Sequence, residues 1–248
     1  MFDSYDTLVA TSKSLEQATD SPTITGEVEI IQFRIISPNN FPGASIDLRY
    51  IFTTLELTEN LFSPYVSGYI EISDAIGLYE KIPIIGEEYL HLAFKSRGAP
   101  KNDIIDRYFR IVRLSNFNKS EKNDRIFSYR LEFVSIEQLL NLKTKVQKSY
   151  GAKTISYMIN DVYNNYILDP LKLNFNKSEL QNLDIEKTQG QHNFTIPNLS
   201  PFDTMNFLAH RAISNDNTVS KGAFFTFYDT VKNGFKFNSL ETLIQKKL

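Results

Sequence analysis

Cysteine and tryptophan are both absent from this chain of 248 residues. Without cysteine there is no disulfide framework, no thiolate-held metal and no thiol nucleophile. Histidine is scarce, with only His91, His192 and His210. None of the three has a second histidine or a carboxylate at the helical spacing of a zinc motif, so no metal site is expected. The ten glycines form neither a phosphate-cradling Walker loop nor a Gly-x-Gly-x-x-Gly turn, and no serine sits in a Gly-x-Ser-x-Gly elbow. No apolar run reaches the roughly 18 residues of a membrane span, and residues 1–25 hold no signal-peptide core. The expectation is a soluble chain, not exported by its own signal and without a membrane partner. The 27 basic and 29 acidic residues are interspersed and leave a net charge of −2. No basic stripe is present to neutralise phosphates, so direct nucleic-acid readout is not expected.

What the chain does have is 42% apolar residues, with 19 Phe and 13 Tyr. Aromatic and β-branched residues suit pleated, half-buried surfaces. Residues 1–25 read as a polar arm. From Gly26 the pattern turns to period two, predicting strands over Glu27–Ile36, Ser45–Leu57, Val66–Ser73, Glu88–Lys95, Tyr108–Leu114 and Arg125–Val134. In the long run Ser45–Leu57, Ile46, Leu48, Tyr50 and Phe52 share one expected face, and Ile51, Leu55 and Leu57 the other. Turn chemistry separates the runs, and six or so strands at this spacing predict a small antiparallel barrel or sandwich over the first half.

Beyond residue 135 the period changes. Ser135 and Gln138 have capping-box spacing and predict a short helix to about Leu142. Ile155, Met158, Ile159, Val162, Tyr163, Tyr166 and Ile167 repeat at i, i+3, i+4 and i+7, predicting a helix that Asp169-Pro170 should stop. Residues 171–198 read as irregular, with a short extended piece at Phe194–Ile196. Ser200-Pro201-Phe202-Asp203 opens another helix: a capping serine, a proline where no donor is needed, and an acid at the positive end. Ala223–Tyr228 and Phe235–Phe237 flank Asn233-Gly234 as a hairpin.

Chemistry is harder to find. Glu87-Glu88 and Asp203 are the acid pairs that a glycosidase would need, but solvated strand edge and helix capping explain them more simply. The Phe and Lys residues interleaved over Phe224–Lys236 fit one buried hairpin face better than a base-stacking platform. No catalytic residue, cofactor site or metal site is expected, and the chain reads as non-enzymatic.

Three stretches together carry a resemblance. The first is Leu57-Thr58-Glu59-Asn60-Leu61-Phe62-Ser63-Pro64 running into Val66–Asp74, then Pro83–Glu88. The second is Tyr108-Phe109-Arg110-Ile111-Val112 with Tyr129–Ser135. The third is Ser200–Ala209, followed by the Phe-rich hairpin and Asn238–Leu243. In this order they resemble the baseplate hub subunit of T4-like contractile tails, and the third also looks like hub and spike proteins of type VI secretion systems. The resemblance implies an α+β chain: an antiparallel tail-tube-type β-barrel over 26–142, a helical insertion domain over 143–221, and over 222–248 the hairpin opening a second barrel. It implies a structural subunit of the virion tail baseplate, assembled in the host cytoplasm. Three copies would form a homotrimeric ring joining the tail tube, or a tube-initiator protein, to the central spike, with baseplate wedge proteins as further partners. Leu248 comes before a second barrel could close, so the expectation is a fragment of a longer hub or a shortened version completed by a partner. Subunit contacts are expected on Asp47, Arg49, Ile51, Thr53, Ser67, Tyr69 and Glu71, where strand edges would pair between copies. The competing readings are a tail-associated cell-wall hydrolase and a ligand-binding β-barrel.

Overall fold

The structure, a computed structural model, describes residues 28–37, 45–81, 84–96, 103–119, 126–176, 179–216 and 222–245. The polar arm expected over 1–25 and the turn at Pro38–Gly43 lie outside these residues. Seven strands make one antiparallel sheet: β1 (Val28–Ile36), β2 (Ser45–Asp47), β3 (Phe52–Thr58), β4 (Ser67–Asp74), β5 (Tyr89–Ser96), β6 (Ile105–Lys119) and β7 (Phe127–Ser135). Their order is β2-β1-β5-β6-β7-β4-β3. Flat, such a sheet would hold its two edges about 29 Å apart. The edge strands, however, are successive in the chain, and the link Leu48–Ile51 reaches about 17 Å at most when extended. The sheet must therefore curl until its edges approach each other.

The link also bonds to both edges. Leu48 N–H donates to Phe33 of β1, and Ser73 N–H of β4 donates to Ile51, each at 2.8 Å. The single strand expected over Ser45–Leu57 is thereby corrected to two strands meeting at a corner. Leu48 is buried while Tyr50 is 80% exposed, so the face expected to hold both does not exist. Register slips at Ile30/Gln32, Phe52/Thr54 and Ile111/Arg113 insert extra residues that strengthen the coil. Elsewhere alternation holds: Ile70 and Ile72 of β4 and Tyr129, Leu131 and Phe133 of β7 point inward. They meet Phe33, Ile35, Leu90, Leu92, Phe109 and Ile111 in one barrel core. At Gly68 a Cβ would lie 2.2 Å from the Glu56 carbonyl oxygen and 2.6 Å from the Phe133 ring, so only glycine fits. A short helix, α1 (Leu78–Lys81), starts on Asp74, whose carboxylate accepts from the N–H groups of Ile76, Leu78 and Tyr79.

The second lobe begins where β7 runs directly into α2 (Ile136–Lys143). It continues through β8 (Ser149–Lys153), α3 (Ile155–Tyr163), β9 (Leu183–Ile185), β10 (His192–Thr195), α4 (Pro201–Ala209), β11 (Phe225–Thr230), β12 (Gly234–Ser239) and α5 (Leu240–Gln245). Ile155, Met158, Ile159, Val162, Tyr163 and Ile167 are all buried, as the helical spacing predicts. The helix does not stop at Asp169. It passes through a π-helical turn, Asn164–Leu168, and a last turn, Asp169–Leu171. Asp169 N–H bonds back to Asn164, and this five-residue step changes the bonding register just before the proline that lacks a donor.

At α4 the Ser200 hydroxyl accepts from Asp203 N–H at 3.2 Å, with Pro201 in the first turn, as expected. Phe202 N–H, also unpaired within the helix, is taken by Asn141 of α2 at 2.7 Å. The Phe-rich hairpin is present, β11 against β12, with Gly234 at φ 69°. β9, which has no clear sequence signal, runs parallel to β12, and β8 pairs with β10. Ile136 of α2, the helices α3 and α4, and Phe225, Phe227, Phe235 and Phe237 of the hairpin fill one hydrophobic core. The Phe202 ring, 5.6 Å from Phe227 and 5.9 Å from Phe235, ties helix to hairpin.

Candidate assembly site

The seven expected contact residues fall into four places. Asp47 and Arg49 form an exposed ion pair of 2.5 Å at the barrel corner, beside exposed Tyr50. Ile51 is only 8% exposed and belongs to the barrel core. It leaves the candidate surface, because the corner turns it inward. Thr53 occupies the β3 bulge, its hydroxyl donating to the Glu71 carbonyl at 3.2 Å. Ser67, Tyr69 and Glu71 lie on β4, which is bonded to β7 on one side and β3 on the other. Its backbone is therefore occupied, and among the described residues the strands of this sheet with one bonded neighbour are β2 and β3.

Side chains on this outer face neutralise each other. Arg130 of β7 stacks over Tyr69 at 4.0 Å and pairs with Glu71 at 2.5 Å. Tyr69 donates its hydroxyl to Glu56 at 2.8 Å, and Arg113 pairs with Glu132 at 2.9 Å. The hydrogen bond from Arg130 holds the Glu71 carboxyl below its ordinary range.

A second constellation was not anticipated and is buried. The tip of the β11–β12 hairpin enters the barrel mouth, where Val231 joins the barrel core and its N–H bonds to the Glu59 carboxylate. Behind the tip, Asp229 takes both terminal nitrogens of Arg107, at 3.0 and 2.8 Å, and Arg107 also reaches the Thr230 carbonyl at 2.9 Å. Arg107 and Asp229 are each 1% exposed. Ser135 donates its hydroxyl to Asp229 at 2.8 Å, and Asp229 N–H reaches the Ser63 carbonyl at 3.3 Å. The capping box expected at Ser135 is thereby corrected. No side-chain bond caps α2: the Ser135 hydroxyl donates to the buried carboxylate, and its oxygen accepts from Val66 N–H at 3.0 Å instead of from the first turn of the helix. Glu137, in the first turn of α2, is also 1% exposed. Burial pushes its carboxyl up to about 7, with Arg107 opposing and Asp229 adding to the rise.

The same strand is gripped from outside. Tyr108, the neighbour of Arg107, faces the other way and donates its hydroxyl to Glu179 at 3.1 Å. Phe175 packs against both Tyr108 and Tyr89, at 5.4 and 5.3 Å between ring centres. Sequence reasoning missed this seam because Arg107, Glu137 and Asp229 are single charges within otherwise ordinary patterns. Asp229, alone between Tyr228 and Thr230 on a strand otherwise free of acids, is the one visible hint.

The remaining candidates for chemistry have structural employment. Glu88 accepts from the N–H groups of Ile85 and Gly86. Asp203 accepts from the Ser200 hydroxyl at 2.6 Å. His91 bonds Asp106 at 2.7 Å and stacks on Tyr108, His192 stacks on Phe194, and His210 ends α4. Among the described residues no group of three His, Cys, Asp or Glu side chains could hold a metal ion, and no helix is long and apolar enough to cross a membrane.

No protein-family model and no curated protein matches the chain. Solved structures similar to it include the tail protein from Neisseria meningitidis MC58, at 10% identity and TM-score 0.49, covering 83% of this chain and 49% of that one. Another is an E. coli component of the type VI secretion system described as structurally similar to T4 bacteriophage tail proteins, at 11% identity and TM-score 0.45, covering 85% and 48%. A third is the Francisella PdpA-VgrG complex in its lidded form, at 14% identity and TM-score 0.46, covering 97% and 32%. This chain spans about half or less of the length of these structures.

Proposed function

We propose that this chain is a structural, non-enzymatic subunit of a contractile-tail baseplate hub, three copies of which form a ring between the tail tube and the central spike. The observation that carries the reading is where the three resembling stretches meet. Ser63 and Val66 come from the first, Ser135 ends the second, and the hairpin with Asp229 follows the third. In the fold all four residues join one hydrogen-bonded cluster: Asp229 accepts from Ser135, its N–H reaches Ser63, and Val66 N–H donates to Ser135 at 3.0 Å. Residues of the resembling stretches here tie two lobes together, which suits a scaffold that transmits force.

The side of β3 away from β4, which has no strand partner among the described residues, and the polar outer face beside it would supply the surface for copies of the chain. A strand edge presents unpaired N–H and C=O groups that a neighbour's strand can satisfy. Asp47, Arg49, Thr53, Ser67, Tyr69 and Glu71 would border that contact, with the spike, the tube and wedge proteins on the remaining faces. Light scattering on a sizing column tests the ring: a three-chain mass is expected as concentration rises. A single-chain mass at every concentration, for this chain and for any longer natural form, would refute it. Clearing of bacterial cell-wall suspensions by the purified protein would favour the hydrolase reading instead.

A further inference from the structure

At the seam one guanidinium faces two carboxyl groups, and only one carboxyl is paired. Asp229 occupies Nη1 and Nη2 of Arg107, whose Nε has no partner. Glu137 Oε2 has no partner either, although the residue is 1% exposed. The groups facing Glu137 are Arg107 from β6, Asp229 from β11 and Tyr163 from α3. Tyr163 has given its hydroxyl to the Gln181 carbonyl at 2.8 Å, and Ser135 has given its own to Asp229. Only the residue's own backbone N–H and the Arg107 guanidinium already committed to Asp229 favour a second negative charge, and a buried charge so thinly balanced is expensive enough that the group neutralises instead.

We propose that Glu137 is a proton-operated latch: while it carries a proton, the β11–β12 tip stays seated in the barrel mouth, and its ionisation lets the tip withdraw. This inference is independent of the hub reading. The carboxyl's rise to about 7 from an ordinary 4.5 agrees with the charge count. A raised folded-state value for an acid means that the seated state holds the extra proton. The stabilisation is therefore complete below about pH 4.5 and is lost as pH climbs through 7. The tip is also held by the Arg107 bonds to Asp229 and the Thr230 carbonyl, by the Glu59 carboxylate on Val231 N–H and by an ion pair of 2.5 Å between Lys232 and Asp103. A Glu137→Gln variant separates the latch from all of them.

Amide hydrogen exchange on the full chain between pH 5.5 and 8.5, corrected for intrinsic rates, reads the seating directly. Opening of Asp229–Val231 should accelerate as pH rises from 5.5 to about 7, by up to about tenfold per pH unit, the limit for one proton, and should level off above it. In Glu137→Gln it should stay slow and flat. A flat profile in the natural sequence overturns the proposal, as does an equal slope in the variant. If the variant fails to fold, infrared spectra of the natural protein decide: a protonated-carboxyl band present at pH 6 and lost by pH 9 supports the latch, and its absence at pH 6 overturns it.

Discussion

The two lobes use the same strand chemistry to opposite ends. In the barrel, β4 and β7 alternate strictly, with buried residues inward and half-exposed polar ones outward. In the second lobe, β11 buries five residues in succession, Phe225 to Asp229, and β12 buries all of its residues but Lys236. Both segments alternate in sequence, yet only the first has a wet face. Alternation therefore reports that a strand has two chemically different faces, and leaves open whether the polar one meets water. Here the face of Thr226 and Tyr228 is buried as well, and Asp229 shares the other face with Phe225 and Phe227 and finds its partner 122 positions earlier.

The largest test of this contrast is Asp229→Ala. It leaves the Arg107 guanidinium buried without its counter-charge and should cost about 3–5 kcal/mol. If the lobes unfold as one unit, urea melts followed by far-ultraviolet dichroism and by tyrosine signals should shift together; separate transitions would break the picture of a single locked body. Next come Phe133→Ala in the barrel and Phe235→Ala in the second lobe, each expected to cost about 3–5 kcal/mol through the cavity left behind. Both should move the same transition by similar amounts, and a variant that unfolds one lobe alone would assign the cores separate stabilities.

Gly68→Ala should cost about 1–3 kcal/mol, since the new methyl overlaps the Glu56 carbonyl and the Phe133 ring. It should also push β3 away from β4, and unchanged self-association would argue against β3 as the contact edge. The smallest effect expected is that of Tyr108→Phe, about 0.5–1.5 kcal/mol. It removes the hydroxyl bond to Glu179 and leaves the ring against Phe175.

The sequence revealed most of what local physics decides. The period-two runs found the barrel strands, the apolar spacing from Ile155 to Ile167 found α3, and Ser200-Pro201 found α4. It failed where distant partners decide. Ser135 reads as a cap until Asp229 takes its hydroxyl, and the corner at Leu48–Ile51 is invisible because its residues keep alternating while the backbone bends. Of the candidate contact residues, six keep an outward position and Ile51 does not, because the corner that pairs with both sheet edges carries it inward. The seam was illegible altogether, since single charged residues spaced far apart signal nothing until folding brings them together.

One feature of β6 has mechanical meaning. Arg107 and Tyr108 are successive, so their side chains leave opposite faces of the same strand, and each is tied to the second lobe. A hinge needs one side free to slide, and here both sides are pinned within a single peptide step. While the hairpin is seated, a push or twist applied to its lobe must therefore travel into the barrel wall through β6, so the molecule would carry load between its ends as a solid strut.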